Sequence, residues 1–136
     1  MTMRTLRLLL LIDIASLVVV AAIHAGIIGG GPFDRASMYE AAVAVVLGIG
    51  LALTWAGPAV ARWGAFVAQL LALLGVGTGI YMASRGMAPS TTWDLVYHAF
   101  AVVFLLAGLV VAARLPSSSD AARGHTATES YGRGQT

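Results

Sequence analysis

Two histidines and a few carboxylates interrupt an otherwise apolar chain: Asp13, His24, Glu40, Asp94 and His98, with Gln69 and Tyr97 beside them. Imidazole and carboxylate together suit three kinds of ligand. Two histidines can hold a b-type haem, two histidines and a carboxylate can hold a divalent transition metal, and a histidine among aromatic rings can hydrogen-bond a quinone headgroup. His24 and His98 are the expected ligands in the first two cases. Glu40 is then a third metal ligand, and Glu40 and Tyr97 are further polar contacts for a cofactor. Asp94 precedes His98 by four residues, the spacing at which a carboxylate on a helix can orient an imidazole from behind. The chain contains no cysteine, which excludes disulfides, iron–sulfur clusters and covalently attached haem. No nucleophile and base stand at a recognisable spacing, so nothing marks the chain as an enzyme by itself.

The elements that must carry these groups are membrane helices. The composition is 59% hydrophobic and 10% charged, with a mean hydropathy of +0.86, whereas soluble domains carry about a quarter charged residues. Four stretches reach the roughly 20 apolar residues that a transmembrane helix needs: about 6–28, 37–56, 59–83 and 92–113. The first is too long for a signal-peptide core and is followed by no clear cleavage site. The expected architecture is an all-α membrane four-helix bundle over residues 1–115. Residues 116–136, "PSSSDAARGHTATESYGRGQT", read as a disordered cytoplasmic tail in which His125 is inert. All eight basic residues are arginine. With both termini in the cytoplasm, Arg4, Arg7, Arg62 and Arg114 lie inside and only Arg35 and Arg85 lie outside, so the arginine bias predicts N-in/C-in. The arginine, alanine, glycine and valine usage suits a GC-rich bacterial source and hence a multi-pass inner-membrane protein. A net charge of +2 is too small and too scattered for nucleic acid.

Counting along the spans at about 1.5 Å per residue places His24, Glu40 and His98 in one band roughly 4–10 Å below the outer helix ends. Asp13, Val20 and His24 share a stripe of the first helix. Each polar group also has a structural explanation. Ser37–Met38–Tyr39–Glu40 matches a capping box, and Thr91–Thr92–Trp93–Asp94 a looser one. Tyr39, Trp93 and Tyr97 fall where an interfacial aromatic belt belongs, and the histidines could be interhelical hydrogen-bonding glue. Asp13, roughly 10 Å deep from the cytoplasmic side, is level with Gln69, and a hydrogen bond between the two is expected. Small-residue spacings at Ala44/Gly48, Ala68/Ala72 and Gly75/Gly79 predict tight helix seams.

The stretch "MYEAAVAVVLGIGLAL" (38–53) resembles the second helix of the DoxX-like family of small four-helix bacterial membrane proteins. The likeness covers this helix and the four-span layout. It implies association with respiratory or quinone-linked complexes, and Glu40 is the one residue it carries over. The functional expectation is an accessory or cofactor-binding subunit with its polar site in the outer leaflet. A cofactor-free structural or assembly protein is the alternative. A third reading is a small oligomeric transporter using Asp13, since a carboxylate in the first span is similar to that of the small multidrug-resistance transporters. Expected partners are the bilayer and a larger membrane complex or further copies of the chain.

Overall fold

A computed structural model describes residues 2–87 and 91–115, so the tail expected from 116 onward lies outside the described residues. The described residues form four helices and no strand: α1 (Met3–His24), α2 (Ala36–Leu53), α3 (Pro58–Ser84) and α4 (Thr92–Ala113). Each is long and apolar enough to cross a membrane.

Local chemistry sets the ends. The Thr2 hydroxyl accepts from the Thr5 amide at 3.2 Å and starts α1. Pro58 opens α3, where its missing amide costs nothing. α1 stops at His24 although apolar residues continue through Ile28. Gly26 turns into the left-handed region at φ 74°, and the Ile27 amide reaches back to the Ala22 carbonyl at 3.0 Å. That is a Schellman stop, which only glycine takes without strain. The expected span of 6–28 is therefore shifted to Met3–His24.

The helices stand in a ring, α1 packing on α2 and α4, and α3 on α2 and α4. Each presents a seam of buried positions three and four residues apart. On α1 it is Leu6, Leu10, Asp13 and Leu17, and on α2 Ser37, Glu40, Ala44, Leu47 and Gly50. On α3 it includes Ala61, Ala65, Ala68, Ala72 and Val76, and on α4 Ala101, Leu105, Gly108 and Ala112. This alternation is the packing pattern of left-handed bundles. Outside the seam the helices are equally greasy: Leu8, Val18, Val45, Leu74 and Val103 are exposed. Helices apolar on every face suit a lipid surround, in which close packing rather than water exclusion selects the buried face. Small residues make that approach possible. A methyl group on Gly50 would collide with the Ala68 side chain, and one on Gly108 with the Gln69 amide. What the seam does not explain is its polar members, Asp13, Glu40 and Gln69.

Candidate functional site

His24 ends α1, Glu40 lies in the first turns of α2, and Asp94 lies in the first turn of α4. The antiparallel ring brings all three to one end of the bundle. His24 Nδ1 is 2.9 Å from Glu40 Oε2, and its Nε2 is 3.3 Å from Asp94 Oδ1. One imidazole thus joins two carboxylates from two other helices. Each group sits at the helix end whose dipole suits it, the imidazole at a C-terminus and the carboxylates near N-termini. Glu40 is 8% exposed, so its carboxylate relies on His24 for a partner.

The remaining oxygen of Asp94 is also fixed. The Thr91 amide and hydroxyl donate to Oδ2 at 2.6 and 2.8 Å, and the Asp94 amide returns a bond to Thr91 Oγ1 at 3.2 Å. This is a complete capping box, and it presents the other carboxylate oxygen to His24.

Four local expectations are corrected. Glu40 is not a helix cap: α2 begins one residue early, with Arg35 at the cap position and no side-chain cap bond. Ser37 Oγ instead donates to the Asp34 carbonyl at 2.7 Å, freeing Glu40 to turn inward. Asp94 does hold His98, but through its main chain: His98 Nδ1 donates to the Asp94 carbonyl at 2.6 Å, while the carboxylate serves His24. Tyr97 is not a belt residue with its hydroxyl outward. The hydroxyl is buried without a partner among the described residues, whereas Trp93 and Tyr39 are 81% and 69% exposed. Asp13 and Gln69 are both fully buried, yet no hydrogen bond joins them; both carboxylate oxygens and both amide atoms lack partners among the described residues.

His98 is the other imidazole of this region. Its Nδ1 proton is committed to a carbonyl, so Nε2 carries the ring's lone pair. Nε2 lies beside Gly79, whose missing side chain leaves room for it. It makes no hydrogen bond among the described residues, and it is not a buried atom. The two histidines are therefore unlike. His24 has both nitrogens engaged by carboxylates, and His98 has one nitrogen oriented and one open. Bis-histidine ligation would require His24 to release a carboxylate first. No group of three or more metal-ligating side chains is assembled among the described residues.

Thr91 is the member of the network that the reading of candidate ligands passed over. Its signal was the threonine three residues before an acidic one at a helix start. At the opposite end, Arg7 donates from Nε to Thr54 Oγ1 at 2.9 Å and from a terminal nitrogen to the Thr54 carbonyl at 2.8 Å, with its guanidinium 4.4 Å from the Trp55 ring centre. No family model matches the chain, and no curated protein or solved structure matches it.

Proposed function

We propose that this chain is a small multi-pass accessory subunit of a bacterial cytoplasmic membrane that offers a quinol-type headgroup a polar site in the outer leaflet. Both termini are cytoplasmic in this reading. Its support is the arginine distribution, with Arg4, Arg7, Arg62 and Arg114 at one end of the helices against Arg35 and Arg85 at the other. Among the ligands that imidazole and carboxylate suit, the quinol is favoured by one observation. The Asp94 carbonyl accepts from His98 Nδ1, so in the neutral ring the acceptor is Nε2, which lies beside the Gly79 seam without a hydrogen bond among the described residues. Such a nitrogen accepts a hydroxyl proton, which a quinol has and a quinone lacks. Glu40 and Tyr97 line the same end and add polar contacts. Haem or metal ligation draws on His24, His98 and Glu40, and would have to break the His24 network.

The test is chemical analysis of the detergent-purified protein together with titration of a short-chain benzoquinol against Trp93 fluorescence. Bound quinone in an organic extract and binding that prefers quinol to quinone are expected. His98→Leu should weaken binding on the order of tenfold or more, as expected when a hydrogen-bonding partner is deleted. A Soret band in the dithionite-reduced spectrum, or stoichiometric metal, would replace the quinol by haem or by an ion. A colourless, metal-free protein that binds no quinol would leave the second reading, a structural or assembly subunit. That reading has its own observation, because one His24 ring ties three helices together.

A further inference from the structure

Three buried side chains from three helices keep polar atoms without partners among the described residues: both oxygens of Asp13, both amide atoms of Gln69 and the hydroxyl of Tyr97. Asp13 is 1% exposed and Gln69 0%. A buried polar atom left without a partner is costly, because it gives up its bonds to water and gains none in return. Five of them in one small bundle call for water, which in protein interiors makes about three hydrogen bonds to groups of this kind.

The register places them together. His24 meets Asp94, so Asp13, one full stretch of eleven residues lower on α1, is level with Leu105 of α4. Gln69 stands against Gly108, three residues further along α4. At about 1.5 Å per residue the two levels differ by roughly 5 Å. α1 and α3 lie diagonally across the ring, and no direct bond joins the two side chains. Towards the His24 end, the Tyr97 hydroxyl is within electrostatic reach of both the Asp13 and Glu40 carboxyls. Buried apolar residues pack the interior on both sides, Leu6, Leu10 and Ala112 towards the other end and Leu17, Val76 and Ala101 towards the His24 end, where the Tyr97 hydroxyl is the buried polar atom left without a partner among the described residues. The other ionisable groups turned inward are His24 on α1, Glu40 on α2, and Asp94 and His98 on α4. α3 faces Asp13 with the neutral Gln69, and its Arg62 and Tyr81 lie towards its ends.

We propose that Asp13 and Gln69 form an internal proton site, a protonated carboxyl bridged to the amide by buried water, with the Tyr97 hydroxyl as its link to the His24 end. The proton moves from oxygen to oxygen along water and phenol, and no bond other than O–H forms or breaks.

Infrared difference spectra of the full chain in lipid nanodiscs, before and after transfer to heavy water, test this. A protonated-carboxyl band at neutral pH should vanish in Asp13→Asn and return, shifted, in Asp13→Glu. Gln69→Leu should move its frequency. Tyr97→Phe should keep the band but slow its deuterium shift on the order of tenfold. His98→Leu, which removes the proposed quinol contact, should leave the band and its exchange unchanged, so the two proposals fail separately. The absence of an Asp13-dependent band, or equal exchange rates in Tyr97→Phe and the parent, would overturn the site.

Discussion

The two ends of the bundle are both tied by polar side chains, but they are tied differently. At the His24 end one ring bridges α1, α2 and α4. At the Arg7 end the contacts are pairwise. Arg7 holds the C-terminal end of α2 through Thr54, and Arg62 reaches the Ala113 carbonyl of α4 at 3.2 Å from an exposed position. A guanidinium stays charged under all ordinary conditions, so the Arg7 end is a fixed clamp. The His24 end is built from groups that exchange protons. If both carboxylates are ionised, the imidazole must carry two protons to donate to each; if it carries one, a carboxyl must hold the other. Connection and proton chemistry coincide at the His24 end, whereas the Arg7 end has connection alone.

The largest consequence concerns His24→Ala. It strands Glu40 in the interior and removes the tie to Asp94 in one step. Deleting one partner of a buried ion pair costs about 3–5 kcal/mol, and the partial exposure of this ring puts the expectation near the lower figure, about 3 kcal/mol. Reversible unfolding in mixed micelles, followed by helical ellipticity, measures it. Glu40→Gln keeps an acceptor for the ring and should cost clearly less than His24→Ala. Equal losses would mean that charge pairing, rather than the three-way bridge, holds this end.

Arg7→Ala follows at about 2 kcal/mol, within the range of about 1.5–3 kcal/mol for hydrogen bonds from a charged donor, with the Trp55 stacking lost as well. Arg7→Lys should recover less than half, because an ammonium cannot donate two bonds in the planar arrangement that Thr54 accepts. If Arg7→Ala proved more costly than His24→Ala under the same conditions, the contrast between the ends would be reversed.

Much of this contrast was legible in the sequence, and the part that was not has physical reasons. Residue counting alone put His24, Glu40 and His98 at one depth, because a helix converts sequence separation into height without knowledge of neighbours. The helix that packs beside a group was not legible, and so the bond partners were misassigned. Ser37 and Glu40 have capping-box spacing, but the cap position falls two residues earlier, at Arg35, and the box is never formed. Asp13 and Gln69 lie within about 5 Å of one level, yet α1 and α3 are diagonal, a fact of the ring order that no local pattern carries. Tyr97 had a signal that its aromatic neighbours obscured. It stands four residues before Ala101 and eight before Leu105, on the seam of α4, which turns its hydroxyl inward. The end of α1 was misjudged because Ile27 and Ile28 extend the hydrophobic run past a turn that Gly26 enforces.

The smallest effect separates two jobs of Thr91. As a helix cap alone, its hydroxyl contributes about 1 kcal/mol, which Thr91→Ala would forfeit. The same hydroxyl donates to Asp94 Oδ2 and so fixes the rotamer from which Oδ1 meets His24. Those roles separate in a double-mutant cycle between Thr91→Ala and His24→Ala. A cap acting by itself costs the same with or without His24, and the coupling is then near zero. A cap that also aims Asp94 costs less once its target is gone, and residues sharing one network couple by about 0.5 kcal/mol or more. We expect coupling at that lower bound, because the 3.3 Å contact to His24 is the longer of its two bonds and has less to lose than the 2.9 Å contact to Glu40. Zero coupling would detach Asp94 from the network energetically and reduce the three-helix bridge to a His24–Glu40 pair, leaving the His24 end joined pairwise like the Arg7 end.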